Sequence, residues 1–198
     1  MLIKLIFLAA LASLIPAEAM VCEEICECAC DKNSLKIRGA AFYPQGSLTR
    51  KIYDRFWPEG SLEYDYLWHR HYSTFVNGGF TRKTGHSIGR HHKTIIDLAP
   101  ATLGLNVWLD NLCSWRPYIG VGVGAAYAHF HDFSPYVKQV QNKWGFASIV
   151  QIGMEVDFCE SFFFDAFADY RFNWFDFNRR GKNLTGGADL GAGLGFHF

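Results

Sequence analysis

Apolar and polar residues alternate with a period of two over most of the chain, which is the pattern of β-strands with one apolar and one polar face. The C-terminal segment shows it most clearly: Phe198, Phe196 and Leu194 are apolar, whereas His197 and Gly195 between them are not. Chain ends usually fray, so a strongly apolar face at the extreme C-terminus indicates a surface that something must cover.

The same alternation predicts eight strands, with approximate bounds 35–43, 61–69, 72–82, 94–109, 116–129, 143–158, 161–174 and 187–198. The predicted connections alternate between long segments (45–60, 83–93, 130–142 and 175–186) and short ones (69–71, 110–115 and 158–161). In the fourth strand the apolar phase slips by one residue at Pro100. A proline cannot donate to a ladder, so we predict a β-bulge at this position.

Residues 1–19 have the composition of an export signal. Lys4 precedes an apolar core from Leu5 to Ile15, and small residues at Ala17 and Ala19 form a cleavage site. The core is too short for a helical membrane anchor, so we expect this segment to be removed. The remaining chain divides into an arm, residues 20–33, and one domain, residues 34–198.

Composition narrows the class of protein. The 198 residues carry 19 Lys and Arg against 19 Asp and Glu, so the net charge is zero and no basic field favours nucleic acid. Aromatic residues reach 17% and glycines number 19. After the signal peptide no apolar run is long enough for a membrane-spanning helix. If the exported chain enters a membrane, it must do so as a closed barrel.

The C-terminal residues Gly193, Phe196 and Phe198 resemble the assembly signal of Gram-negative outer-membrane proteins, and the strand layout is similar to the OmpA/OmpX-like eight-stranded barrels. The resemblance implies an all-β, eight-stranded antiparallel transmembrane β-barrel that contacts outer-membrane lipid and the barrel-assembly machinery. An even number of strands places both mature termini in the periplasm and the long connections outside. We expect a structural or surface-interaction role, with no enzymatic activity, cofactor or nucleic-acid partner.

Charged and amide side chains on the predicted inward faces form a candidate polar network. An isolated buried charge is costly, so these groups should pair inside a barrel too narrow for an aqueous channel. We interpret the network as a structural plug, and the alternative is a narrow, porin-like path for small solutes or ions. The residues are Lys36, Arg38, Glu63, Asp65, Gln151, Glu155, Asp165, Asp169, Arg171 and Asp189.

All six cysteines fall on the predicted periplasmic side: Cys22, Cys26, Cys28, Cys30, Cys113 and Cys159. The periplasm is oxidising, so we predict disulfides, either stapling the arm to the barrel or linking it to other proteins. The second use resembles the cysteine-rich outer-membrane proteins of obligate intracellular bacteria, whose envelopes are held by disulfides. A metal site is the third alternative, but C-x-C-x-C lacks the usual spacing of structural zinc sites, and we predict no bound metal.

Histidines cluster in two predicted outer loops: His86, His91, His92, His129 and His131. Surface metal binding or a pH-sensitive loop is conceivable there, but we interpret them as solvated loop residues. Small barrels also include lipid A-modifying enzymes, which need a serine beside a histidine. His86 and Ser87 form the only adjacent pair and lack a companion motif, so this enzyme is the weaker alternative, and no catalytic residue is assigned.

Overall fold

The chain folds into a closed antiparallel β-barrel. The computed structural model describes residues 33–87, 92–109, 115–133, 140–158, 161–177, 181–184 and 186–198. In chain order the elements are β1 (Ser34–Pro44), α1 (Ser47–Tyr53), β2 (Trp57–His69), β3 (Tyr72–His86), β4 (Lys93–Trp108), β5 (Trp115–Asp132), β6 (Val140–Asp157), β7 (Phe162–Phe177), β8 (Gly181–Leu184) and β9 (Gly187–His197). Consecutive strands pair from β1 to β8, β7 also pairs with β9, and β9 pairs with β1, which closes the sheet.

The short strand β8 is a continuation of β9 beyond the barrel. Arg171 of β7 lies opposite Gly187 of β9, and Trp174 lies opposite Leu184 of β8, so both segments follow one register. Strands β8 and β9 therefore count as one strand of the barrel. The predicted eight-stranded barrel is confirmed.

The two ends of the barrel differ. Asn33 and Phe198 exchange backbone hydrogen bonds of 3.1 and 3.0 Å, so both ends of the described chain meet at one end, called here the terminal end. The connection at Arg70 and His71 is a tight turn at this end. The opposite, distal end carries α1. No helix within the described residues has the length and hydropathy needed to cross a bilayer.

Side chains alternate across the barrel wall as the sequence predicts. In β1, Lys36 and Arg38 are buried, whereas Leu35 and Ile37 are exposed on the outer surface. Small residues on one strand make room for large interior side chains from another. A Cβ atom added at Gly195 of β9 would overlap the ring of Phe163 on the neighbouring strand.

The strands extend further at the distal end than predicted. Trp57 begins β2, four residues before the predicted start, and β3 continues to His86 inside a predicted loop. His86 pairs with Lys93 of β4, and β5 likewise continues to Asp132. These segments are largely polar, and the absence of an apolar alternation predicts loops, but the backbone ladder does not require apolar side chains. Strand pairing therefore continues beyond the apolar part of the wall.

The predicted bulge at Pro100 is wrong. The pairing of β4 keeps one register through the proline on both neighbouring strands. Ile96 and Leu98 are buried and face inward, whereas Leu103 beyond the proline faces outward. The apolar phase changes because the barrel interior is itself apolar near the distal end. A register shift does occur between Leu67 and His69 in the pairing of β2 with β3.

The predicted signal peptide, residues 1–19, and the arm up to residue 32 lie outside the described residues. So do all the cysteines of the predicted disulfides: Cys22, Cys26, Cys28, Cys30, Cys113 and Cys159.

Candidate functional site

A network of buried ion pairs occupies the barrel interior. All ten residues proposed from the sequence for the inner wall are at most 5% exposed. Lys36 of β1 is at its centre, because its Nζ atom lies 3.1 Å from Glu63 Oε1, 2.7 Å from Asp65 Oδ2 and 2.8 Å from Glu155 Oε1. Glu155 belongs to β6, so this last contact crosses the lumen.

Arg38 forms the next level of the network, two residues along β1. Its Nε atom donates to Asp165 Oδ2 at 2.6 Å, and its guanidinium also pairs with Glu63. Nη2 lies 2.6 Å from the Tyr118 hydroxyl, which donates to Asp165 Oδ1 at 3.0 Å. The guanidinium also covers the Phe167 ring at 4.7 Å. Arg38 is therefore held by charge, hydrogen bonds and ring contact together.

A second ion-pair group surrounds Arg171 of β7. Its guanidinium pairs with Glu59, and Nη2 lies 2.8 Å from Asp189 Oδ2. Asp169 lies directly opposite Asp189 in the β7–β9 register, on the same inner face. Asp169 Oδ1 is buried without a hydrogen-bond partner among the described residues. Three carboxylates therefore gather near one guanidinium.

The network continues to the terminal end through residues that the sequence analysis did not assign to it. Arg116 Nη2 lies 2.8 Å from Glu155 Oε2 and 2.7 Å from His197 Nε2, and His197 Nε2 lies 3.1 Å from Asp157 Oδ1. Amides complete it, since Gln151 Nε2 donates to Asn106 Oδ1 at 2.7 Å. The sequence analysis missed Glu59 because the predicted second strand begins at residue 61, after Glu59. It missed Arg116 because the inward alternation of the fifth strand was not followed to the first residues of that strand.

Formal charges inside the barrel are unequal. Among the described side chains the network contains four cations, Lys36, Arg38, Arg116 and Arg171, and eight carboxylates, Glu59, Glu63, Asp65, Glu155, Asp157, Asp165, Asp169 and Asp189. Each of the four cations lies between two or more carboxylates, so removing any of them would leave negative charge unpaired in a buried site.

The distal end of the interior is apolar. Phe42, Trp57, Tyr53 of α1 and Ile96 form one buried cluster, in which the Tyr53 and Trp57 rings meet edge to face at 5.7 Å. Burial raises the pKa of the Tyr53 hydroxyl, and the Asp132 carboxylate raises it further. A second cluster contains Leu98, Ala126, Ala128, Ala147 and Phe175. Packed side chains therefore fill the lumen above the ion pairs.

The outer surface carries an apolar band. Leu103, Val121 and Ile152 are each more than half exposed at the middle of their strands. Along β6, the outward face from Trp144 to Val156 spans about 30 Å for a strand tilted by about 40°. An outward apolar band of about 25 Å is the signature of barrels that cross a bilayer.

Aromatic residues border this band at both ends. We call the outward aromatic residues at the terminal end the terminal aromatic row: Tyr64, Tyr66, Trp68, Tyr72, Phe162, Phe196 and Phe198. Those at the other border are the distal aromatic row: Tyr43, Phe56, Phe80, Tyr127, Trp144 and Trp174. Phe196 and Phe198 of the candidate assembly signal stack at 5.9 Å, whereas Gly193 is buried on the inner face.

The histidines and Ser87 near the distal end do not form a common site among the described residues. The His86 side chain is exposed, and the Ser87 hydroxyl accepts a hydrogen bond of 3.1 Å from the His92 backbone. His129 Nδ1 lies 2.6 Å from Asn142 Oδ1, and the His131 ring stacks on the Phe133 ring. His91 lies outside the described residues. No three His, Cys, Asp or Glu side chains in the described segments gather as a metal site.

Comparison with known proteins supports the fold. Neither a scan against models of protein families nor a search of curated proteins found a match. Neisserial surface protein A (NspA) shares 15% identity over 84% of this chain and 97% of its own, with a TM-score of 0.62. OprG, an outer-membrane protein of Pseudomonas aeruginosa, shares 15% sequence identity over 88% of this chain and 99% of its own, with a TM-score of 0.57. Ail, the attachment invasion locus protein of Yersinia pestis, shares 16% sequence identity over 84% of this chain and 97% of its own, with a TM-score of 0.53.

The chain therefore has the eight-stranded antiparallel β-barrel fold found in small outer-membrane proteins. At these identities the similarity is one of fold.

Proposed function

We propose that this protein is an outer-membrane β-barrel with a structural or surface-interaction role and no enzymatic activity. The observation that carries the proposal is the apolar band on a closed barrel, bordered by the terminal and distal aromatic rows. A water-soluble barrel would leave Leu103, Val121 and Ile152 exposed to solvent, whereas lipid would cover them. Aromatic rows at both borders suit the two membrane interfaces.

The packed interior favours a structural role over conduction. Lys36, Glu63, Gln151 and Asp165 are fully buried, and the apolar clusters at the distal end fill the lumen above them. An eight-stranded barrel has an interior just wide enough for its own side chains. These contacts support a closed plug in preference to the narrow pore that the sequence also allowed.

The proposed orientation places both mature termini in the periplasm and the distal connections outside the cell. Asn33 meets Phe198 at the terminal end, which fits a periplasmic assembly signal presented to the barrel-assembly machinery. Two of the proteins that share the fold are described as a surface protein and an attachment invasion locus protein, which supports exposure of the distal end.

Epitope insertion tests the location and the orientation together. An epitope inserted after Arg180, between β7 and β8, should be detected by antibody on intact cells. The same epitope after Arg70, in the turn between β2 and β3, should be detected only after permeabilisation. The reverse result would overturn the orientation, and recovery of a soluble periplasmic protein would overturn the proposal as a whole.

We further propose that the cysteines link the barrel to other envelope proteins. Residues 20–32 precede Asn33 at the terminal end, and Cys113 and Cys159 lie in sequence between strands that also end there. Non-reducing electrophoresis of native envelopes should show higher-mass species that collapse on reduction and disappear when the four arm cysteines are replaced by serine. A single, faster-migrating monomer would indicate internal bridges instead.

A further inference from the structure

The zero net charge of the chain conceals a strong separation of charge. The segments 45–56, 82–97, 129–143 and 176–186, which form or flank the distal connections, contain twelve of the 19 Lys and Arg residues. The same segments contain four Asp and no Glu. The barrel interior has the opposite balance, with twice as many carboxylates as cations among its described side chains. In sequence, these segments are therefore basic on a chain without net charge.

Two of these cations, Arg82 and Lys93, lie on the outer wall of the barrel. Arg82 of β3, Asp97 of β4, His129 of β5 and Asn142 of β6 pair in sequence across four strands and face outward. They form a polar row two residues, or roughly 5 Å, beyond Phe80, Tyr127 and Trp144 of the distal aromatic row. Lys93, further along the outward face of β4, is also exposed. Arg82 therefore points sideways at the height where lipid headgroups meet the barrel, and Lys93 lies on the same outward face roughly 10 Å further from the apolar band.

The α1 segment, which packs against β1 and β3, supplies further cations. The Arg50 guanidinium lies 5.1 Å from the Tyr43 ring and donates to the Pro44 and Gln45 carbonyl oxygens at 2.7 Å. Lys51 and Arg55 beside it are exposed. We call Arg50, Lys51, Arg55, Arg82 and Lys93 the distal collar.

We propose that the distal collar binds the phosphate groups of lipids that surround the distal end of the barrel. The inference rests on the proposed membrane location. Lysine and arginine beside a bilayer surface attract anionic headgroups, and guanidinium can bind phosphate through two hydrogen bonds. Asp97 Oδ1 lies 3.4 Å from Arg82 Nε, but the Arg82 side chain remains 61% exposed. One carboxylate contact leaves most of its five N–H donors available to a phosphate.

The position of the collar favours a lipid over a soluble polyanion. A soluble partner would be met by cations pointing away from the membrane, whereas Arg82 lies on the side wall directly beyond the apolar band, and Lys93 lies further out on the same wall. A lipid can then place its acyl chains on that band and its phosphate on the collar. Because the two contacts belong to one molecule, binding of the acyl chains to the band raises the effective concentration of the phosphate at the collar.

Binding of diphosphorylated lipid A tests the proposal, with the full mature chain folded in neutral detergent micelles. The same lipid without phosphates is the reference ligand. Arg82→Gln and Lys93→Gln should each weaken binding of the phosphorylated lipid about fivefold, because each removes one cation at the surface. The double variant should show about a 25-fold loss if the sites are independent. Added salt should reduce the preference for phosphate.

Arg70→Gln is the matched control, since it removes an exposed arginine from the turn at the terminal end. It should leave binding unchanged. Equal affinity for the two lipids, an equal loss in Arg70→Gln, or preferential binding of soluble heparin that lipid A does not displace would each overturn the proposal. Heat-dependent migration on gels reports folding separately. A folded barrel without phosphate preference contradicts the collar alone, whereas a chain that folds in no micelle or bilayer contradicts the proposed function.

Discussion

Replacing Lys36 by methionine removes the central cation of the interior network while keeping a side chain of similar length. After the change Glu63 still pairs with Arg38, and Glu155 still pairs with Arg116 at 2.8 Å. Asp65 is the carboxylate left without a cation, although Ser73 and Asn106 continue to donate to its Oδ1 at 3.3 and 2.8 Å.

The expected loss is about 3–5 kcal/mol in the free energy of unfolding, which is the usual cost of leaving a buried ion-pair partner uncompensated. Adding Asp65→Asn should restore more than about 2 kcal/mol, because the amide carries no charge and its oxygen can keep both hydrogen bonds. Urea unfolding in phosphatidylcholine vesicles, followed by tryptophan fluorescence, measures both values. Lys51→Met, on the exposed surface of α1, is the control and should change stability by less than about 0.5 kcal/mol.

A loss below about 1 kcal/mol in Lys36→Met would refute this reasoning. So would a double variant no more stable than the single one, because the cost would then come from packing and not from the unpaired charge of Asp65.

Three further predictions follow from the wall and the interior. Gly153→Ala should cost about 1–3 kcal/mol, because its Cβ would overlap the Tyr118 ring, whereas Gly39→Ala, with nothing within 4 Å, should be neutral; urea midpoints compare them. Leu103→Arg, midway along the outer face of β4, should cost about 2–4 kcal/mol in bilayers, while Leu48→Arg on α1 should leave the unfolding free energy unchanged. The purified barrel should show no discrete conductance in planar bilayers, and reproducible single-channel steps would contradict the plugged interior.

The alternation of residues was sufficient to predict the barrel, its strand number and the inner face of each long strand. In β7, for example, Asp165, Asp169 and Arg171 all follow one phase, and a slip by one residue would place these charges against the apolar band. The free-energy cost of placing these charges on the apolar outer surface therefore determines which side chains of each strand face inward. Strand ends are specified less strongly, because polar strand extensions such as the end of β3 carry no apolar signal.

The partners within the network could not be predicted in the same way. Lys36 meets Glu63 on the adjacent strand, which register alone could suggest, but it also meets Glu155 across the lumen. That contact depends on the stagger and tilt of the closed sheet, which the sequence of a single strand does not reveal. Arg116 could have been found by extending the inward phase of Tyr118 by two residues, and Glu59 by extending that of Glu63 through Ser61.

The separation of charge was hidden for a different reason. The 19 positive and 19 negative residues predict no basic field for nucleic acid, but this balance does not tell where along the fold the charges lie. The topology shows that interior carboxylates account for much of the negative charge, while the cations concentrate near the distal connections. A net charge of zero therefore describes the chain and not its surface.

The central claim is that this barrel is folded in the outer membrane, with lipid on its apolar band. Electrophoresis of the outer-membrane fraction without boiling tests it most directly. The account predicts that the protein is recovered in that fraction and migrates as a compact species, which shifts after boiling to the position of the unfolded chain, 22.5 kDa less the predicted signal peptide. Recovery in the soluble periplasmic fraction, with migration that boiling does not change, would contradict it.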